Sequence, residues 1–242
     1  MPTRIYTSEA LVSGQQISLD EQAFQHLVRV LRMTDGDCLV LFNGDGRALE
    51  GTLCEVGKKQ ASVLLGNCIA EDALTPVALH LGQVISKGDR MDFTIQKATE
   101  LGVTSITPLW SERCDVRLKG ERMDKKLEHW RKVAISACEQ SGRNRIPEIL
   151  EPMAMTDWAP TVDTDQRLIL HPHNQQPLDT SAQPGSVTLL VGPEGGFSEI
   201  EVEQAQRSGF TGLLLGPRIL RTETAALAAL SVLQYLWGDF RA

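Results

Sequence analysis

Beyond residue 77 the chain alternates short, almost continuous apolar runs with longer stretches of helical period. Residues 79–85, 105–110, 167–171, 187–191 and 212–215 read as strands apolar enough to be buried on both faces, the mark of a mostly parallel α/β sheet with helices on both faces. Asp89 opens a helix whose Met91, Ile95, Ala98 and Leu101 form a stripe ending at Gly102. A longer helix carries Met123, Leu127, Trp130, Ala134 and Ala137 and ends near Gly142. Ser198-Glu199-Ile200-Glu201 is a capping box. The last helix, from Thr224 to about Trp237, has almost no polar face, so it is expected to be buried in the core or against a second subunit.

The first part of the chain follows a different period. Residues 4–8, 37–43, 48–56 and 61–69 are short β-runs, with Asn43-Gly44-Asp45-Gly46 a strong hairpin turn, and together they predict a small β-barrel or sandwich over 1–70. One helix interrupts them, N-capped by Asp20 and running to about Arg32. Its Phe24, Leu27, Val28 and Leu31 are expected to face the core, with His26 and Arg29 opposite. Residues 71–76 lose all periodicity and read as a linker to a second domain over 77–242. The chain shows neither an internal repeat nor a low-complexity segment.

Two glycine-rich turns in the second domain each leave an apolar strand and enter a helix: Leu190-Val191-Gly192-Pro193-Glu194-Gly195-Gly196-Phe197-Ser198 and Leu215-Gly216-Pro217-Arg218-Ile219-Leu220-Arg221-Thr222-Glu223-Thr224-Ala225. In a parallel sheet such turns are where ligands bind, because backbone N–H groups and helix N-termini converge there. Neither has the lysine of a phosphate loop, and the dinucleotide order G-x-G-x-x-G is absent. Glu194 places an anion in the first turn, which suits a positively charged ligand, a sulfonium or ammonium, better than a polyphosphate. The plainer alternative is a pair of ordinary strand-to-helix turns.

Composition narrows the class. Hydrophobic residues make up 42% of 242, enough for a sizeable core without staples. The five cysteines fall in no C-x-x-C pair, and Met1-Pro2-Thr3-Arg4 opens no signal peptide, so the expectation is a reduced, cytoplasmic protein. No apolar run approaches the roughly 20 residues that span a bilayer. His171 and His173 make only a weak metal case, and no metal is expected. The net charge of −7 argues against non-specific nucleic-acid binding, yet residues 111–145 hold ten basic and six acidic residues. That local surplus is either a solvated helix face or a phosphate-binding surface.

The two glycine turns, Lys97-Ala98-Thr99-Glu100-Leu101-Gly102-Val103 and Glu139-Gln140-Ser141-Gly142-Arg143 together resemble the bacterial 16S ribosomal RNA uridine-N3 methyltransferases of the SPOUT superfamily. His26-x-x-x-Val30-Leu31-Arg32 is similar to that family's small PUA-like RNA-binding domain. The resemblance runs over nearly the whole chain. It implies a SPOUT-type α/β fold with a deep trefoil knot, formed where the chain after Leu215 threads the preceding loop. It also implies S-adenosyl-L-methionine as cofactor, 16S ribosomal RNA within the small subunit as substrate, and a homodimer.

By the same resemblance, His171 and Pro172 line the cofactor together with Leu190, Val191, Gly192, Pro193, Glu194, Gly195 and Gly196 of the first turn. The second turn contributes Leu215, Gly216, Ile219, Leu220, Arg221, Thr222, Thr224 and Ala225. The expected catalytic groups are Arg221, Glu223 and Arg143. RNA contacts are expected from Arg4, His26, Arg29 and Arg32 in the small domain, and from Arg117, Lys125, Lys126, Arg131 and Arg143 beyond it. Two competing readings remain. A non-catalytic RNA-binding module would not need two converging glycine turns, and a ribose 2′-hydroxyl methyltransferase would share the knot and differ in target.

Overall fold

The structure is a computed structural model that describes residues 2–116, 118–171 and 175–241. The expectations for Arg117, Pro172 and His173 therefore lie outside the described residues. Contacts divide the chain into two units: Met1–Leu74 with Ile135–Ile146, and Thr75–Ala134 with Pro147–Ala242.

In the smaller unit, β1 (Arg4–Tyr6), β2 (Gln16–Ser18), β3 (Cys38–Phe42), β4 (Arg47–Cys54) and β5 (Ser62–Glu71) form one sheet in the order β1-β3-β4-β5-β2. The Asn43–Gly46 turn folds β3 back on β4 as an antiparallel pair, with Gly44 and Gly46 at φ of 93° and 104°. Helix α1 (Glu21–Phe24) begins where Asp20 accepts a hydrogen bond from Ala23 N and passes into a π-helix over Gln25–Val30. Phe24 and Leu27 are buried as the period predicts. Leu31 is 44% exposed, contrary to expectation, because each wider turn delays the rotation and carries position 31 off the buried face. The unit's core includes Ile5, Ile17, Leu39, Leu41, Leu53 and Val63, and each fully buried aliphatic side chain contributes roughly 1.5–3 kcal/mol.

The stretch read as a linker begins inside the sheet, since β5 runs to Glu71. Asp72 then accepts hydrogen bonds from Asn144 N (2.7 Å), Asn144 Nδ2 (2.7 Å) and Arg145 N (3.2 Å). Arg4 Nη2 donates to the Arg143 carbonyl (3.2 Å) and to Asn144 Oδ1 (2.6 Å), and Tyr6 N donates to Glu139 Oε1 (3.0 Å). Long-range polar bonds thus build 135–146 into the smaller unit, a connection that no local period announces.

In the larger unit the strands are β6 (Ala78–Val84), β7 (Ser105–Trp110), β8 (Glu148–Ile149), β9 (Met153–Ala154), β10 (Gln166–Leu170), β11 (Gln175–Gln176), β12 (Ser186–Val191) and β13 (Thr211–Leu213). They lie in the order β11-β13-β10-β12-β6-β7-β8, with β9 also on β7, and every described pair is parallel. The helices are α2 (Arg90–Glu100), α3 (Glu121–Ser141), α4 (Met155–Trp158), α5 (Glu199–Arg207) and α6 (Thr222–Trp237), and the last turns of α3 belong to the smaller unit. α6 packs on α2 and β12 and buries Ala226, Ala229, Leu230, Leu233 and Trp237 in the core. Its other side keeps Val232 41% and Tyr235 58% exposed. No helix among the described residues is long and apolar enough to cross a membrane.

Candidate active site

Because β10, β12 and β13 are parallel neighbours, the segments leaving their carboxyl ends emerge on one edge of the sheet: His171, the 192–198 turn and the 214–221 turn. Between them opens a cleft of about 620 Å³. An adjoining cleft of about 280 Å³ shares Leu170, His171, Ile219, Leu220 and Ala225 with it.

Nearly all of the expected cofactor residues stand on these walls. Val191, Gly192, Pro193, Glu194, Gly195, Gly196, Arg221 and Thr222 line the larger cleft, and Leu215 and Gly216 the smaller. Leu190 is fully buried behind them in β12, and Thr224 is exposed away from both walls. Arg90, Leu170 and Gln175, none of them expected to touch the cofactor, also line the clefts, together with Phe197 of the first turn and Leu213, Leu214, Pro217 and Arg218 in and before the second. Of the expected catalytic residues, Arg221 and Glu223 line the larger cleft, whereas Arg143 is part of the smaller unit.

Local chemistry fixes the walls. Phe197 is buried with its ring against Gly192, where an added Cβ would lie 3.0 Å from the ring and would push it aside by a few tenths of an ångström. Gly216 takes a φ of 82°, which a side chain would strain. Ser198 and Glu201 form the expected capping box, and the second oxygen of Glu201 accepts from Glu112 N at 2.8 Å. Thr222 Oγ1 donates to the Gly192 carbonyl at 2.6 Å and accepts from Gln83 Nε2 at 3.1 Å. Gln83 is fully buried. A lone amide in the apolar run 79–85 was the available signal, since a buried polar group requires a partner.

Glu194, read from the sequence as an anion facing the ligand, lies on the rim and is paired there with Arg90, whose Nη1 is 2.7 Å from its Oε1. Arg113 Nη1 supports the same loop by donating to the Gly195 carbonyl at 3.1 Å. Among the described residues the carboxylate on the wall without a cation is Glu223, whose Oε2 is buried without a hydrogen-bond partner.

The basic segment also divides. Lys126 Nζ, His129 Nε2 and Trp130 Nε1 all reach the Asp92 carboxylate, at 2.9, 2.7 and 2.9 Å. Burial alone would raise the pKa of Asp92, but these bonds outweigh it and hold its pKa below the ordinary value. Arg131 pairs with Glu151 at 3.2 Å, and Lys125 is exposed without an ion pair among the described residues. In the smaller unit His26, Arg29 and Arg32 are exposed, while Arg4 is half-buried over the Phe42 ring. Burial raises the pKa of Glu139 and pushes the Cys138 thiol up to about 11, which marks both as interior groups of that unit.

A family model described as an RNA methyltransferase domain matches residues 73–234, and one described as an RNA methyltransferase PUA domain matches 19–65. The ribosomal RNA small subunit methyltransferase E of Buchnera aphidicola subsp. Schizaphis graminum is 39% identical over 98% of this chain and 97% of its own length. The chain belongs to the ribosomal RNA small subunit methyltransferase E family. The Bacillus subtilis member is 31% identical over 95% of this chain and 93% of its own length. The Neisseria gonorrhoeae methyltransferase E, solved with S-adenosyl methionine, superposes with a TM-score of 0.93 at 43% identity and covers 99% of each chain. A Legionella pneumophila methyltransferase solved with its cofactor SAM gives 0.95 at 43% identity, over 99% of this chain and 100% of that one. The present chain is thus an RNA methyltransferase whose N-terminal part is a PUA domain.

Proposed function

We propose that the chain transfers a methyl group from S-adenosyl-L-methionine to N3 of a uridine in 16S ribosomal RNA of the small subunit. The observation that carries this reading is the glycine-walled cleft at the carboxyl edge of three parallel strands, roofed by both turns and bearing one unpaired carboxylate. Its volume lies in the range that takes a cofactor-sized ligand. An added Cβ at Gly196 or Gly216 would meet nothing within 4 Å, so backbone there borders open space. The 43% identical neighbours from N. gonorrhoeae and L. pneumophila hold this cofactor.

When bound, the cofactor supplies a sulfonium methyl group to an in-line nucleophile. The protein's first contribution is alignment, with both turns held in one geometry by the Gln83–Thr222–Gly192 bonds. Uracil N3 carries a proton and becomes nucleophilic as that proton leaves, so a cation beside the ring favours the reactive form. Arg221, exposed on the cleft wall without an ion pair among the described residues, is assigned that role. RNA is held by the small domain through His26, Arg29, Arg32 and Arg143, and by Lys125 on α3. The chain after Leu215 is assigned to a deep trefoil knot, a reading supported by α6 returning beneath β12 after β13 has paired on the far side of β10. The working form is a homodimer that requires no metal.

Incubating the purified protein with methyl-labelled cofactor and small-subunit particles, then digesting the RNA to nucleosides, tests the reaction. Label in N3-methyluridine is expected. Label in a 2′-O-methylated nucleoside, or none at all, overturns the assignment.

A further inference from the structure

Two carboxylates line the larger cleft among the described residues, and they differ in kind. Glu194 is half-exposed on the rim and neutralised by Arg90 at 2.7 Å. Glu223 sits in the first turn of α6, forms no ion pair, and buries an oxygen, Oε2, that meets no donor. Arg221, two residues earlier, is exposed and does not bridge back to it. A desolvated carboxylate oxygen without a donor is costly in a folded chain, and a docking cation removes that cost. Meanwhile the amino end of α6 favours negative charge at this position. The adjacent Thr222 is tied to Gly192 and Gln83, so the backbone that presents Glu223 is fixed relative to the first glycine turn.

We propose that Glu223 acts on the methyl donor rather than on the uracil, pairing its carboxylate with a cationic centre of the donor. The inference rests on the cleft being the cofactor site. S-Adenosylmethionine carries two such centres, the sulfonium and the α-ammonium. Opposite the sulfonium, Glu223 would favour donor over product, because transfer of the methyl group leaves the carbon–sulfur electron pair on sulfur and removes its charge. Opposite the ammonium, it would hold donor and product alike.

Calorimetric titration of the full chain and of Glu223→Gln with three ligands separates these cases. S-Adenosylmethionine has both charges, S-adenosylhomocysteine only the ammonium, and methylthioadenosine neither. The variant is expected to bind S-adenosylmethionine about tenfold more weakly or worse while keeping the affinity of the parent chain for methylthioadenosine, whose binding also shows that the cleft is folded. Loss confined to S-adenosylmethionine places Glu223 at the sulfonium, and loss shared with S-adenosylhomocysteine places it at the ammonium. Unchanged binding of all three, or equal loss of all three, overturns the inference. If the unmodified chain binds none of them, the cofactor reading itself has failed.

Discussion

Thr222 Oγ1 donates a 2.6 Å hydrogen bond to the carbonyl of Gly192, thirty residues earlier in the chain, and the Gln83 amide closes the arrangement from beneath at 3.1 Å. One hydroxyl thereby ties the start of α6 to the end of β12 and to β6. Replacing Thr222 by Val keeps the shape and removes both bonds, leaving the buried Gln83 amide short of a partner. We expect a stability loss of about 1–3 kcal/mol by urea unfolding, with weakened cofactor binding by calorimetry. Thr222→Ser should restore both. A valine variant as stable as the parent would show that the two turns keep their positions without the bond.

Much of this was readable beforehand, and for definite reasons. The five strands read from the apolar runs beyond residue 77 and the capping box at Ser198 follow from local period and local chemistry, and the structure has them within a residue or two. Other features were not legible. A π-helix over Gln25–Val30 changes the phase of the first helix and exposes Leu31, and nothing in the apolar spacing announces it. The segment 135–146 joins the smaller unit through Asp72, Arg4 and Tyr6, partners about 70 to 140 residues away in sequence. Glu194 looked like an available charge because its partner, Arg90, lies on another element 104 residues away. In each case the deciding contact is long-range or the backbone geometry irregular.

The Asp92 cluster makes a pH prediction. A carboxylate whose pKa is depressed in the folded chain contributes stability above its unfolded value, about 3.9, and that contribution is lost as pH falls through the folded value. Asp92→Asn should therefore be less stable than the parent at neutral pH. Because Asp92 is part-exposed, solvent screening limits the charge component to about 1 kcal/mol. Thermal unfolding of both proteins between neutral and strongly acidic pH should show the difference narrowing at the acid end. A constant gap would mean that packing, not charge, explains the loss.

Adjacent lysines in α3 should behave differently. Lys125 is exposed and unpaired, whereas Lys126 is half-buried on Asp92 and lies over the Trp130 ring. If Lys125 contacts a phosphate, Lys125→Ala should lower the salt slope of RNA binding by about 0.7 to 0.9 and leave the melting temperature unchanged. Lys126→Ala should lower the melting temperature and spare the slope. Filter binding across a salt series, with melting curves, reads both quantities. Equal slopes for Lys125→Ala and the parent chain would remove this helix from the RNA surface.

The dimer is tested on α6, and the structure decides which residue to change. Leu233 is fully buried in the core of the larger unit, so a charge there would unfold the chain whatever its oligomeric state. Tyr235 lies on the same helix, is 58% exposed, and has the Arg241 guanidinium over its ring at 5.3 Å. With Val232, 41% exposed, it leaves α6 an apolar outer side that, among the described residues, stays open to solvent apart from the Arg241 contact. Sedimentation of the unmodified protein at micromolar concentration should give about twice 26.6 kDa. Tyr235→Glu should give a folded monomer, because a carboxylate is tolerated in water but not against an apolar partner surface. If the parent chain sediments as a monomer, or Tyr235→Glu remains dimeric, this side of α6 is not the subunit interface.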